Sequence, residues 1–169
     1  TALHVSASHA HAEASSTLLL SGASVWARDC EHNTPLHKAA ERPDKPVLRA
    51  VVLRTLVSAG AIVDARNCRQ LTPLHLAAQN GSIEGCRVLL QYGANVEASE
   101  ASSRFTPLFL AAQHCHSDVI RVLLHKAAVN AISPKHATAL HIAAEQARGA
   151  DVCQALLEGG ATIDAVTKE

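Results

Sequence analysis

Aromatic side chains are scarce in this sequence: two phenylalanines, one tyrosine and one tryptophan make up 2% of its 169 residues, and methionine is absent. Small-molecule pockets are commonly walled by aromatic side chains, so this composition argues against such a site. Neither sign of charge is in excess, because 15 lysines and arginines balance 15 aspartates and glutamates. Without a basic cluster, the chain lacks the electrostatic footprint of a nucleic-acid-binding protein. No apolar run is long enough to span a bilayer, so we expect no membrane insertion.

What the sequence has instead is a repeated motif, seen most clearly as Thr72-Pro73-Leu74-His75. Threonine accepts hydrogen bonds at a helix N-cap, and proline is tolerated at the first helical position. A second landmark ends the units, a Leu-Leu or Leu-Val pair that is usually followed by Gly-Ala and a short strand. The four other versions of the motif, spaced by 33, 38, 34 and 32 residues along the chain, are Thr1-Ala2-Leu3-His4, Thr34-Pro35-Leu36-His37, Thr106-Pro107-Leu108-Phe109 and Thr138-Ala139-Leu140-His141. A period of this size is typical of stacked repeats.

Helix, turn, helix, Gly-Ala and a short hairpin, in units that begin with Thr-Pro-Leu-His, resemble the ankyrin repeat. The resemblance implies an all-α solenoid of stacked helix-turn-helix units joined by β-hairpin loops. It covers the whole chain as a single domain of five units: 1–33, 34–71, 72–105, 106–137 and 138–169. The chain starts without methionine on the first residue of a helix and stops where a hairpin tip would form. We therefore expect an interior fragment of a longer array.

Several positions depart from the repeat pattern. Unit two is longer than the others, with its excess at residues 41–46, and Pro46 is expected to restart its second helix. In unit four, Phe109 replaces the signature histidine and Cys115 replaces the glycine between the helices. The hairpin-tip glycine of the family is missing throughout, and its place is taken by His32, Gln70, Arg104 and His136. These residues argue against tight hairpin turns, since positive φ is uncommon outside glycine.

The five cysteines form no disulfide framework. Cys86 and Cys153 share a register on the inner face of a helix, where cysteine acts as a small apolar residue. Cys30 and Cys68 occupy equivalent positions in adjacent units, but stacked units lie roughly 8–10 Å apart and a disulfide needs Cα atoms within about 7 Å. An odd count without a spacing pattern favours a reducing compartment. We expect an intracellular protein, in the cytoplasm, with the nucleus as the alternative.

Eleven histidines raise the question of a metal site. The resemblance implies that the signature histidines bond locally and tie one unit to the next. His114-Cys115-His116 is the best remaining candidate, but no second pair follows at zinc-finger spacing. Neither a Gly-x-Ser-x-Gly elbow nor a glycine-rich phosphate loop is present. We expect no catalytic residue, cofactor or metal, and hence no enzyme activity.

In the ankyrin family, hairpin tips and first helices line a concave groove that binds partners. Phe105 is the strongest single candidate for a contact residue there, and packing under its own hairpin is an equal alternative. Trp26, at the strand position of Asp64 and Glu97 in other units, either packs against the stem of Arg28 or is an exposed contact residue. The groove positions carried over from the family are Arg28, Glu31, Asn33, Arg42, Arg66, Arg69, Leu71, Gln79, Asn80, Ser103, Phe105, Gln113, His114, Lys135, Glu145 and Gln146.

The resemblance implies a non-catalytic protein-protein interaction module, monomeric as a fragment, that binds a protein or an extended peptide. One alternative is a targeting or regulatory segment of a larger enzyme, channel or ubiquitin-ligase receptor whose chemistry lies elsewhere. Another is a structural spacer without a partner of its own. The resemblance also makes Asn130 similar to asparagines that are hydroxylated in this family. The partner's identity cannot be deduced from the fold, because function depends on the site that a fold carries.

Overall fold

The computed structural model describes residues 1–134 and 136–166. This part of the chain contains ten helices and no strand: α1 (Ala2–Ser8), α2 (Ala12–Leu20), α3 (Pro35–Ala40), α4 (Pro46–Ser58), α5 (Pro73–Gln79), α6 (Ile83–Gln91), α7 (Pro107–Gln113), α8 (Ser117–Leu123), α9 (Ala139–Ala144) and α10 (Ala150–Glu158). The all-α solenoid is confirmed. The hairpin-like loops between the helix pairs are closed by turns in place of strands. Within the described residues, no helix combines the length and apolar content needed to cross a membrane.

The repeated threonine begins the first helix of each unit. In the third unit, the backbone N–H of Thr72 donates to His75 Nδ1 at 3.1 Å, and the threonine hydroxyl lies 2.9 Å from the same nitrogen. The threonine side chain also receives the backbone N–H of His75, which completes a capping box. The capping box satisfies donors that a helix N-terminus leaves without intrahelical partners. Phe109 cannot make this bond, and α7 accordingly begins without a capping box.

The core runs along the stack between the first and second helices of successive units. Leucines such as Leu36, Leu74 and Leu108 are almost completely buried, and alanines such as Ala77 and Ala111 lie beside them. Small alanine side chains let neighbouring helices approach closely. Burial of this aliphatic surface, at about 25 cal/mol per Å², is the main contribution to stability.

The second-helix cysteines follow the predicted register. Cys86 is fully buried in the same core as Ile120, and burial raises the pKa of its thiol to about 12. Cys153 is half-buried against the same core. Cys30 and Cys68 are exposed free thiols at the hairpin tips.

The residues that replace glycine at the hairpin tips adopt the conformation that glycine would have. His32, Gln70, Arg104 and His136 have φ between 54° and 61°, and Cys115 between α7 and α8 has φ of 59°. The expectation that these residues argue against tight turns was wrong. Backbone hydrogen bonds close each of these turns, so the residue at positive φ is strained but the turn stays tight.

The excess residues of unit two form a loop that a buried arginine holds in place. As predicted, α4 begins at Pro46, but its N-terminal turn leaves Val47 and Leu48 exposed. Arg49 is 1% exposed and donates to the carbonyl oxygens of Ala39 at 3.0 Å and Asp44 at 3.1 Å, and it forms an ion pair with the Asp44 carboxylate. The guanidinium therefore satisfies the polar groups of the loop from inside it.

Candidate protein-binding groove

Three cavities lie along the side of the stack formed by the hairpin tips and the first helices, which we call the groove. The cavity between units two and three has a volume of about 240 Å³, and its polar lining includes Glu31, Glu41, Arg69, Gln79 and Asn80. A cavity of about 350 Å³ lies beside α1 and α3 and includes Val5 and Arg42. The third cavity, of about 610 Å³, lies at the C-terminal ends of α7 and α9.

The third cavity contains the pair of histidines that raised the question of a metal site. The rings of His114 and His116 stack with their centroids 6.3 Å apart. Burial, and then the neighbouring His116, lower the pKa of His114. His116 Nε2 donates to the carbonyl oxygen of Gln79 at 2.9 Å, so this ring links unit four to unit three. Among the described residues, no three histidine, cysteine, aspartate or glutamate side chains converge as metal ligands would.

One acceptor side chain at the start of each hairpin holds its tip. Asp29 Oδ1 accepts the backbone N–H groups of Glu31 at 2.9 Å and Asn33 at 2.8 Å. Asn67 and Glu100 accept backbone N–H groups in the next two hairpins. Burial opposes ionisation of Asp29, but the hydrogen bonds outweigh it and lower the pKa of this carboxyl. Asp and Asn commonly make such turns, so these positions carry a sequence signal that the search for groove residues missed.

The signature histidines connect successive units, as the family resemblance implies. His4, His37 and His75 donate from Nε2 to the carbonyl oxygens of Asn33, Leu71 and Phe105, at 2.9, 3.0 and 3.2 Å. Their Nδ1 atoms face the capping threonines and accept from them. Burial lowers the pKa of both His37 and His75 to about 4, which keeps these rings neutral at physiological pH.

A second set of contacts joins the units at the position of Trp26. The indole N–H of Trp26 donates to the Gly60 carbonyl oxygen at 2.9 Å. At the same register, Asp64 and Glu97 accept backbone N–H groups of the following unit, and Asn130 Oδ1 accepts one at 2.9 Å. Trp26 is nevertheless 60% exposed. It therefore contacts the next unit at Gly60 and still presents most of its ring to solvent.

A protein-family sequence model, described as ankyrin repeats (3 copies), matches this chain twice, over residues 3–100 and over residues 97–167. The chain belongs to the ankyrin-repeat family. Ankyrin repeats are generally protein-protein interaction modules, and their domains are typically non-catalytic. No curated protein matches this chain.

The ankyrin groove positions named from the sequence fall into three groups by exposure. Nine are exposed: Arg28, Glu31, Arg42, Arg66, Arg69, Ser103, Gln113, His114 and Glu145. Four are half-buried: Gln79, Asn80, Phe105 and Gln146. Asn33 and Leu71 are buried, and Lys135 lies outside the described residues.

Asn33 and Leu71 are buried by contacts within the chain, although both line the cavity between units two and three. Asn33 is 2% exposed, and its Oδ1 accepts from Asn67 Nδ2 at 2.9 Å, so its amide joins two hairpins. Leu71 packs with Leu76, Leu110 and the half-buried Phe105 in a small apolar cluster of its own. We call this cluster the groove floor. It forms because Leu71 and Phe105, each at the end of a hairpin, pack onto Leu76 of α5 and Leu110 of α7.

Two of the exposed arginines already bind backbone. Arg28 Nη1 donates to the carbonyl oxygen of Arg66 at 3.3 Å. Arg66 Nη1 in turn donates to the Ser99 carbonyl oxygen at 2.9 Å. These side chains link consecutive hairpins. They are therefore less available to a partner than Arg69, which makes no ion pair within the described part of the chain.

Proposed function

We propose that this ankyrin-repeat chain is a non-catalytic interaction domain that binds a protein or an extended peptide along the groove. The observation that carries the proposal is the series of three cavities between successive units, each lined by residues of the first helices or of the hairpins and turns beside them. An extended segment crossing the units would meet each cavity in turn. The domain would serve this role equally as part of a larger enzyme, channel or ubiquitin-ligase receptor.

Preorganisation of the groove supports the proposal. The backbone N–H of Cys68 donates to the Glu31 carbonyl oxygen at 3.0 Å, and the backbone N–H of Ala101 donates to the Arg69 carbonyl oxygen at 3.4 Å. Neighbouring hairpin tips are therefore joined by backbone hydrogen bonds. Side chains mounted on a fixed backbone lose little conformational entropy when a partner docks. More of the interaction free energy is then available as affinity.

The charges of the groove suggest which residues make the contacts. Lys38 lies 3.6 Å from Asp29 and 3.4 Å from Glu41, so its charge is largely compensated inside the groove. Arg69 is exposed at the rim of the cavity between units two and three, beside Gln79. Arginine is enriched among the residues that dominate binding energy at interfaces. The proposed contact set is Glu31, Arg42, Arg69, Gln79, Asn80, Ser103, Phe105, Gln113, His114, Glu145 and Gln146.

Affinity capture with matched variants tests this proposal. The wild-type chain is compared with the groove variant Arg69→Glu and with Arg54→Glu, which changes the same charge on the exposed side of α4. We expect proteins that the wild type and Arg54→Glu both retain and that Arg69→Glu loses. Equal recovery by all three baits, or recovery by none, would remove the groove as the binding site.

A further inference from the structure

Asn80-Gly81 combines a reactive side-chain amide with an unhindered backbone nitrogen. The chain has five asparagines, and Asn80 is the one followed by glycine. The backbone nitrogen of residue i+1 can attack an asparagine Cγ, and glycine offers it most freely because it has no side chain and few backbone restrictions. Asparagine is for this reason among the thermolabile residues. The sequence thus favours deamidation at this turn.

The folded structure holds both reacting groups away from each other. Asn80 Nδ2 donates to the Leu76 carbonyl oxygen at 2.9 Å, and the Gly81 N–H points to the Ala78 carbonyl oxygen at 3.4 Å. Asn80 has φ of −100° and ψ of 6°, which continues the path of α5. Ring closure requires the side-chain hydrogen bond to break and ψ to rotate. The reaction therefore depends on local opening of the turn.

A histidine from the next unit closes this turn. His116 Nε2 donates to the carbonyl oxygen of Gln79 at 2.9 Å. Its ring lies against Gly81. A β-carbon added to this glycine would be only 2.8 Å from His116 Nδ1, which is closer than van der Waals contact. The Gly81 backbone, with φ of 74°, is therefore packed closely against this ring.

We propose that Asn80-Gly81 is a site of spontaneous deamidation whose rate is restrained by His116. The Gly81 nitrogen forms a bond to Asn80 Cγ, the Cγ–Nδ2 bond breaks, and the amide proton leaves with Nδ2 as ammonia. Water then opens the succinimide at either carbonyl and gives aspartate or isoaspartate at position 80. Aspartate would place a carboxylate beside the Leu76 carbonyl oxygen, and either product adds negative charge to the cavity that contains Glu31 and Glu41.

The first test compares deamidation in the folded and urea-unfolded chain at neutral pH, by peptide mass spectrometry of Asn80 and of Asn95. Asn95 is an internal control, since valine follows it. In urea, Asn80 should convert roughly tenfold faster than Asn95, and folding should slow Asn80 by roughly tenfold or more. Equal rates at the two asparagines in urea would overturn the site. Equal rates at Asn80 in the folded and unfolded chain would overturn its protection.

The second test concerns the histidine. His116→Ala should raise the rate at Asn80 in the folded chain about threefold or more. His125→Ala, which alters an exposed histidine after α8, should leave the rate unchanged. His116→Gln keeps a donor for the Gln79 carbonyl oxygen and should give an intermediate rate, and circular dichroism checks that each variant is folded. Folded His116 variants with the wild-type rate would overturn the role of this ring.

Discussion

The rings of Phe105 and Phe109 stack with their centroids 5.1 Å apart and their planes inclined by 16°. Phe109 occupies the position of the signature histidine and is 2% exposed. The stack replaces a histidine capping box with an apolar contact that joins the hairpin to α7. Unit four is therefore held by packing where its neighbours are held by a hydrogen bond.

A double-mutant cycle measures this stack. Phe109→Ala should reduce the free energy of unfolding by about 3–5 kcal/mol, since the side chain is buried, and Phe105→Ala should have a smaller effect. The double variant should lose about 0.5–1.5 kcal/mol less than the sum of the single losses, because each single change already removes the stack. Urea unfolding gives all three values, and strict additivity would contradict the stacking contribution.

The buried signature histidines predict a loss of stability in mild acid. The native pKa of His37 and His75 is about 4, below the ordinary 6.5, so the unfolded chain binds protons first as pH falls. Their contribution is complete above about pH 6.5 and is lost towards pH 4, by up to about 3 kcal/mol for each histidine. Urea unfolding between pH 7.5 and pH 4.5 measures it.

His37→Gln is the control for the acid effect, because glutamine does not titrate. Its stability should depend less on pH than that of the wild type over this range. The lowered pKa of Asp29 acts in a separate window, below its ordinary value of 3.8. An unchanged pH dependence in His37→Gln would show that protonation of this ring does not oppose folding.

Glycine at the hairpin tips should stabilise the chain. Gln70 has φ of 60°, a conformation that costs a non-glycine residue about 1 kcal/mol or more, so Gln70→Gly is expected to raise the free energy of unfolding by roughly that amount. Arg69→Gly, one residue earlier and outside the positive-φ set, should instead lower stability, since it only adds freedom to the unfolded chain. Chemical denaturation compares the two. A destabilised Gln70→Gly would mean that its turn carries no strain.

Arg49 should be among the most sensitive polar positions. Arg49→Met leaves the carbonyl oxygen of the buried Ala39 without its donor, and a buried acceptor left unsatisfied costs about 1–3 kcal/mol. Arg54→Met changes an exposed arginine of the same helix and should stay within about 0.5 kcal/mol of wild type. Thermal unfolding measures both. Faster proteolysis of the 41–45 loop should accompany the change at Arg49, and equal stabilities would contradict its role.

The sequence was sufficient for the helices and for the links between the units, because both depend on local rules repeated in register. A threonine N-cap followed by proline or alanine predicts where each first helix begins, and the signature histidines were expected to bond to the next unit. Arg49 could not be predicted in this way, since its burial depends on the path of a loop that has no counterpart in the other units. The burial of Asn33 and Leu71 likewise follows from how the hairpins fold back, which residue type does not reveal.

Calorimetric titration of a captured partner into the matched variants tests the central claim most directly. Arg69→Glu should weaken binding by about tenfold or more, a loss of roughly 1.4 kcal/mol, while Arg54→Glu should bind as the wild type does. Unchanged affinity for Arg69→Glu, or a loss confined to Arg54→Glu, would contradict binding along the groove.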